Sequence, residues 1–133
     1  MKEIISRLQI SGVQYFATIS LDGKPKVRPF QFMFEVDGKL WFCTSNQKEV
    51  YKELQKQPWV ELCASGEKMS WMRLSGKVVF ENNLEMKEKV FEVSPLVKNI
   101  YKQADNPQFE VFYLDEAVAA ISEIGKPAKI IEL

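Results

Sequence analysis

Alternating apolar and polar positions dominate the chain and predict strands more often than helices. The strand-like stretches are rich in β-branched and aromatic residues, as half-buried strands are. Asp22-Gly23 and Asp37-Gly38 separate the first three stretches and predict hairpin turns, because Asp-Gly readily adopts the positive φ values of a type I′ turn. These three stretches are therefore expected to form a meander. The predicted strands cover residues 13–20, 26–36, 39–44, 59–64, 70–80, 109–114 and 117–122, with an edge piece at 128–133.

Four segments show the spacing of short amphipathic helices instead. The first carries Ile4 and Leu8 and ends at Gly12. The second is expected to begin at Asn46, whose side chain would form a capping box with Glu49. The remaining two are predicted over residues 84–93, capped by Asn83, and from Ser94-Pro95 onwards, with an apolar stripe of Leu96, Val97, Ile100, Tyr101 and Ala104.

The helices interrupt the strands at irregular intervals rather than in regular βαβ units. This order predicts a mainly β fold with inserted helices, an antiparallel barrel of six or seven strands formed by one domain over residues 1–133. Gly76 is expected to mark a bulge or a sharp bend in its strand, because a glycine inside a strand often does so.

The predicted strand over residues 26–36 is apolar on both faces. Phe30, Phe32 and Phe34 occupy even positions, while Val27 and Met33 occupy odd positions. A strand of a small barrel needs only one apolar face, so the outer face requires a covering element. Three interpretations remain open, namely a helix of the same chain, the surface of a dimer or a flat ligand.

Composition narrows the possible functions. The 133 residues carry 18 basic and 18 acidic side chains, so the net charge is zero and no broad positive field for nucleic acid is predicted. Histidine is absent, which removes the commonest general base and the commonest zinc and haem ligand. Cys43 and Cys63 lack Cys-x-x-Cys spacing and are expected to be buried, reduced thiols rather than metal ligands. Because the N-terminus shows no signal-peptide pattern and no stretch reaches membrane-spanning length, a cytoplasmic protein without a membrane partner is expected.

Candidate chemistry converges where the third strand meets the second helix. Thr44 and Ser45 offer hydroxyl groups, the helix start offers unpaired amides, and Lys48 adds a positive charge one turn further on. Arg28 is expected on a neighbouring strand, where its guanidinium could contact the same phosphate group. The alternative is that Thr44-Ser45 is an ordinary helix cap. Pro29 favours an edge position for its strand, because proline cannot donate a hydrogen bond to a neighbouring strand.

Several segments, taken together and in this order, resemble the pyridoxamine 5′-phosphate oxidase-like flavoproteins with the FMN-binding split-barrel fold. The resemblance is strongest over residues 13–80. It is carried by Gly23-Lys24-Pro25-Lys26-Val27-Arg28-Pro29-Phe30, Asp37-Gly38-Lys39-Leu40-Trp41-Phe42-Cys43-Thr44-Ser45, Lys48, Gln57-Pro58-Trp59-Val60-Glu61-Leu62 and Arg73-Leu74-Ser75-Gly76-Lys77-Val78.

The resemblance implies a split barrel that forms a homodimer and binds FMN at each end of the interface. It assigns the FMN phosphate to Arg28, Thr44, Ser45 and Lys48. It places three further residues along the isoalloxazine ring, which are Pro29, Phe30 and Gln31. The second subunit would complete the site, with Trp71, Arg73 or Tyr101 as candidates.

The chain also departs from parts of that family. Its length and lack of histidine argue against a true pyridoxamine 5′-phosphate oxidase and against a haem-degrading relative. The short members related to nitroimidazole-resistance proteins are the most similar, although the active-site histidine that some of them carry is missing here. No Gly-x-Gly-x-x-Gly motif is present, so a nicotinamide would have to dock directly on the flavin.

The expected function is therefore an FMN-dependent oxidoreductase that passes electrons from NAD(P)H to a small planar acceptor such as a nitro compound or a quinone. The alternatives are a non-enzymatic flavin carrier or redox sensor, and a protein that uses the same pocket for a deazaflavin.

Overall fold

The structure is a computed structural model that describes residues 1–133. It contains four helices and eight strands. In chain order they are α1 (Lys2–Ser11), β1 (Gln14–Ile19), β2 (Pro25–Phe30), β3 (Phe34–Val36), β4 (Lys39–Ser45), α2 (Glu49–Lys56), β5 (Trp59–Ser65), β6 (Ser70–Phe80), α3 (Leu84–Val93), α4 (Pro95–Tyr101), β7 (Phe109–Glu123) and β8 (Lys129–Glu132).

All strand pairs are antiparallel and belong to one sheet with the order β2-β1-β5-β6-β7-β4-β3, with β8 on β7. The predicted mainly β fold with inserted helices is confirmed, with eight strands. Pro29 lies in β2, which is an edge strand as its proline predicts. No helix of the chain has the length and apolarity needed to cross a membrane.

The predicted meander is wrong, because residues 26–36 do not form one strand. β2 pairs with β1, whereas β3 pairs with β4 at the other end of the sheet order. Between them the backbone leaves the ladder: the amide of Phe32 donates to the Gln14 side-chain oxygen at 2.6 Å and that of Met33 donates to the Trp41 carbonyl at 3.0 Å. Residues 31–33 therefore cross directly from one free edge of the sheet to the other.

The C-terminal strand is longer than predicted. Residues 109–114 and 117–122 belong to a single strand, β7, which runs through Glu116 at a φ of 50°. Gly76 lies opposite this irregularity, where the register between β6 and β7 shifts by one residue, so the predicted bulge is confirmed. A Cβ at Gly76 would lie 3.0 Å from the Asp115 carbonyl oxygen, and glycine leaves room for the close approach.

Two apolar clusters explain why the segment of residues 26–36 carries apolar side chains on both faces. The barrel interior holds a large cluster that includes Phe16, Phe32, Phe42 and Phe112. A second cluster joins Phe34 of β3 to side chains of α3, β4 and β7, which are Trp41, Met86, Val90, Phe109 and Val111. A helix of the same chain therefore covers the outer side of β3, but Val27 on β2 stays 67% exposed. The helix interpretation is confirmed for β3 only, and the element that covers β2 stays a prediction.

The two helices before β7 have the predicted starts. Asn83 caps α3 by accepting from the Met86 amide at 3.1 Å, and Ser94 caps α4 by accepting from the Val97 amide at 3.3 Å. The predicted stripe of α4 is not a core face, because no residue of α4 is buried. The helix also ends at Tyr101, before Ala104.

Candidate functional site

A cleft of about 360 Å³ opens where β2, the crossing residues 31–33, the end of β4 and the helix α4 meet. This volume is within the range of roughly 300–1,000 Å³ that is usual for small-molecule sites. Nine of its fourteen lining residues are apolar. Six of the seven predicted site residues line it, which are Arg28, Pro29, Phe30, Gln31, Thr44 and Lys48.

Ser45, the seventh predicted residue, does not line the cleft. Its hydroxyl oxygen accepts a hydrogen bond from the Gln47 amide at 3.1 Å, and the residue is only 8% exposed. The side chain therefore stabilises the turn between β4 and α2, which corresponds to the capping interpretation for this one residue.

Unpaired donors collect at one end of the cleft. Lys48 is exposed and forms no salt bridge, and no side chain caps the N-terminus of α2 that follows it. The Thr44 hydroxyl is buried and has no hydrogen-bond partner within the chain. A buried hydroxyl without a partner is costly, so a ligand oxygen at this position would stabilise it. The residues at this end fit an anion such as a phosphate ester.

The predicted capping box is wrong, which leaves the helix start open. Asn46 does not cap α2; its side-chain amide donates to the Pro107 carbonyl at 2.7 Å and to the Glu110 carboxylate at 3.0 Å. These bonds tie the loop after β4 to the start of β7. The N-cap position falls on Lys48 instead.

Arg28 is held by groups that sequence reasoning missed. Its Nη2 lies 2.7 Å from a carboxylate oxygen of Glu53, and its Nη1 donates to the Thr18 hydroxyl at 2.7 Å and to the Phe16 carbonyl at 3.1 Å. Thr18 in turn donates to the same Glu53 oxygen at 2.7 Å. Glu53 lies between Val50 and Leu54 on the buried face of α2. Its position between these two apolar residues is the sequence pattern from which its inward orientation could have been predicted.

Helix α4 forms the apolar wall of the cleft. Its contribution consists of Leu96, Val97, Ile100 and Tyr101. The Tyr101 ring stacks on Phe109 with centroids 4.6 Å apart, and burial raises the pKa of its hydroxyl, so the phenol is neutral at physiological pH. Tyr101 lines the cleft of its own chain, whereas Arg73, another candidate, pairs with Glu61 at 3.5 Å outside it.

Neither cysteine forms a disulfide. Cys43 lines the cleft, and burial raises the pKa of its thiol to about 12, with the Lys48 charge acting weakly in the opposite direction. Burial also raises the pKa of Cys63. Both thiols are reduced as predicted, but both residues are half-buried rather than buried. Because the thiols are protonated at neutral pH, they are poor nucleophiles.

Comparison with known proteins gives consistent matches. Residues 1–122 match the family described as pyridoxamine 5′-phosphate oxidase. The structure of a NimC/NimA family protein from Clostridium acetobutylicum superposes with a TM-score of 0.90 at 33% identity, covering 100% of this chain and 92% of that one. No curated protein matches the sequence significantly.

Two more distant structures share the fold. A pyridoxamine 5′-phosphate oxidase-related, FMN-binding protein from Nostoc punctiforme has a TM-score of 0.71 at 17% identity, with 97% of this chain and 86% of that chain covered. A putative 5-nitroimidazole antibiotic resistance protein from Bacteroides thetaiotaomicron has a TM-score of 0.63 at 18% identity, with 90% and 82% covered.

Proposed function

Because this chain belongs to the pyridoxamine 5′-phosphate oxidase family, we propose that it is an FMN-dependent oxidoreductase whose cofactor occupies the cleft. The observation that supports this proposal is the composition of the cleft, which combines a free lysine and an unpartnered buried hydroxyl with a mostly apolar lining. A phosphorylated, planar aromatic molecule matches that distribution. The FMN-binding description of a protein with the same fold supports the assignment.

The chain's own residues bind and orient this ligand. Lys48 and Arg28 offset the phosphate charge, and the Thr44 hydroxyl gains a hydrogen-bond partner. Pro29, Phe30 and Gln31 contact the ring, and the apolar side chains of α4 limit the access of water. Bound FMN supplies hydride and single-electron transfer, so the chain need not provide a strong acid or base.

The cations of the cleft restrict the substrate. Arg28 and Lys48 are the only cationic residues that line it, and both are assigned to the cofactor phosphate. No further cation of this chain lines the cleft, so a substrate that lies wholly inside it would have no partner for a phosphate group. We therefore propose that the chain does not oxidise pyridoxamine 5′-phosphate and that its electron acceptor is a small, planar, uncharged molecule.

A nitro compound or a quinone is the proposed acceptor, and NAD(P)H is the proposed electron donor. The 33% identical relative is a NimC/NimA family protein, and a second protein of the same fold is described by resistance to 5-nitroimidazole antibiotics. These descriptions support a nitroaromatic acceptor. We also propose a cytoplasmic location, since both cysteines are free thiols, as is usual in a reducing compartment.

We further propose a homodimer that forms through the outer face of β1, β2 and β5. Tyr15 and Ile19 of β1, Val27 of β2 and Trp59 of β5 are all between 41% and 67% exposed. Tyr15 pairs with Pro29, which lines the cleft, so the apolar face continues to the cleft rim. A second copy is the proposed occupant, because it would cover this apolar face and close the open side of the cleft in one contact.

Titration with FMN followed by anaerobic reduction tests the proposed function. We expect saturable binding with a shifted flavin spectrum, loss of the flavin colour on addition of NADH or NADPH, and its return with a nitro compound or a quinone. Binding without reduction would support a carrier or sensor instead. No binding of FMN would refute the proposal, and a parallel titration with a deazaflavin would then test the remaining alternative.

A further inference from the structure

The Arg28 side chain uses only part of its hydrogen-bonding capacity within the chain. A guanidinium has five N–H groups. Both N–H groups on Nη1 are taken, one by the Phe16 carbonyl and one by the Thr18 hydroxyl, and one N–H on Nη2 is taken by Glu53. The second N–H of Nη2 and the single N–H of Nε remain free.

The two free N–H groups lie on the same edge of the guanidinium. Thr18 and Glu53 are themselves hydrogen-bonded at 2.7 Å, so together they occupy the edge between Nη1 and Nη2. What remains is the edge formed by Nε and Nη2, where two parallel N–H groups can bind two oxygens of one phosphate. Arg28 lines the cleft and its side chain is 24% exposed, whereas Glu53 is 2% exposed.

The anchor of Arg28 lies on the helix that also carries the second cation. Lys48 occupies the N-cap of α2, and Glu53 follows five residues later on the buried face of the same helix. The position of α2 therefore determines both where Lys48 stands and how the Arg28 guanidinium is turned. Packing of Val50 and Leu54 into the barrel core fixes that helix.

We propose that Glu53 is a positioning residue for the anion-binding end of the cleft, holding one edge of Arg28 so that the opposite edge faces the ligand phosphate. This inference rests on the proposed function for the identity of the ligand. Glu53 itself does not contact the ligand. Its negative charge alone would repel a phosphate. Replacement of Glu53 should therefore weaken phosphate binding if the residue positions Arg28, and strengthen it if only the charge matters.

Two uncharged replacements of similar length separate these effects. Glu53→Gln keeps an oxygen that accepts from Arg28 and Thr18, whereas Glu53→Met has no such oxygen. The probes are FMN and riboflavin, which differ by the phosphate. We expect Glu53→Gln to keep the preference for FMN over riboflavin within about threefold of the original protein and Glu53→Met to lower it about tenfold, as for the loss of one charge-assisted hydrogen bond.

An unchanged preference in Glu53→Met, or a stronger one, would overturn the positioning role. Equal weakening of both flavins would also overturn it, because that pattern indicates only a general loss of structure. Thermal unfolding of both variants identifies that case.

A ligand-free measurement keeps the test independent of the proposed function. Nitrogen NMR reports separate Nη1 and Nη2 signals for a guanidinium that cannot rotate about its Nε–Cζ bond. We expect slow exchange between the two Arg28 signals in the original protein and in Glu53→Gln, and faster exchange in Glu53→Met, in which only the Phe16 and Thr18 contacts to Nη1 remain. Absence of FMN binding to the original protein would refute the proposed function, whereas an unchanged exchange rate in Glu53→Met would refute the anchoring.

Discussion

Nη2 of Arg28 lies 2.7 Å from a carboxylate oxygen of Glu53, and this carboxylate is almost completely buried. The pair links the edge strand β2 to helix α2, two elements that are distant in sequence. Arg28 consequently has two roles, since it neutralises a buried charge of the protein and also lines the cleft. Experiments that remove it must separate stability from binding.

Arg28→Ala is expected to lower the free energy of unfolding by about 3–5 kcal/mol, because it leaves the buried Glu53 carboxylate without a cationic partner. Urea denaturation measures the change. The double variant Arg28→Met/Glu53→Leu is the control, since it removes both charges together and should recover most of the loss. If Arg28→Ala is as stable as the original protein, the carboxylate is not held in the way described.

Lys48→Ala is expected to weaken FMN binding without affecting stability, because the lysine is exposed and forms no salt bridge. Loss of one charge-assisted contact costs about 1.5–3 kcal/mol, which corresponds to roughly 10- to 150-fold in Kd. Fluorescence titration gives the constants for FMN and riboflavin. Lys52→Ala, on an exposed position of the same helix, is the matched control and should leave both constants unchanged. Equal effects of the two substitutions would argue against a phosphate at the helix start.

Val27→Lys is expected to convert the proposed homodimer to a monomer, because a charge on this strand face would have to be desolvated in the interface. Sedimentation measurements over a range of protein concentrations report the mass. Leu84→Lys places the same charge on a similarly exposed leucine of α3 and should leave the mass unchanged. A Val27→Lys protein that is still dimeric would exclude this face as the interface.

Cys43 is expected to make the fold sensitive to alkaline pH. Its folded pKa is about 12 against an ordinary value of 9.0, so the folded state disfavours the thiolate. The contribution of the protonated thiol is fully present below pH 9 and is lost progressively as the pH rises towards 12; at pH 10 the loss is about 1 kcal/mol. Urea denaturation at pH 7 and pH 10 measures it. Cys43→Ala lacks this titration, so the stability difference between the two proteins should shrink at pH 10, and a constant difference would show that the thiol is not shielded.

Local signals predicted the parts of the fold that depend on a few neighbouring residues. Asp37 and Gly38 both adopt positive φ values, Asn83 and Ser94 cap their helices, and Gly76 lies at the bulge. The turn and the two caps each depend on the chemistry of one turn, and the glycine itself marks the position of the bulge. The mainly β class followed from them with little need for long-range information.

The errors concern pairing between distant segments. Residues 26–36 have continuous strand propensity, and only the choice of different partners by β2 and β3 divides them. Asn46 is a good helix cap by propensity, but its bonds to the Pro107 carbonyl and to Glu110 take precedence. No local pattern contains those partners.

The site residues also divide into those that neighbouring residues indicate and those that depend on distant segments. Thr44 and Lys48 could be predicted because they lie at a single strand-to-helix junction. Arg28 also lines the cleft as predicted, but the reason given was wrong, because β2 does not pair with β4. The contribution of α4 to the cleft and the role of Glu53 could not be predicted. The apolar stripe of α4 was expected to face the core, and an acidic residue such as Glu53 is rarely predicted to be buried there. In related sequences, an acidic residue between two apolar core positions of a short helix would indicate a buried partner for a cation.

The crossing at residues 31–33 determines when the cleft can be assembled during synthesis. The hairpins on either side of it, β1–β2 and β3–β4, are neighbours in the chain but are connected in the sheet only through β5, β6 and β7. A nascent chain therefore cannot join the two hairpins in one sheet until strand β7, Phe109–Glu123, has left the ribosome. Binding of the proposed flavin is therefore expected only late in synthesis, and a polypeptide that ends before this strand is expected not to retain it.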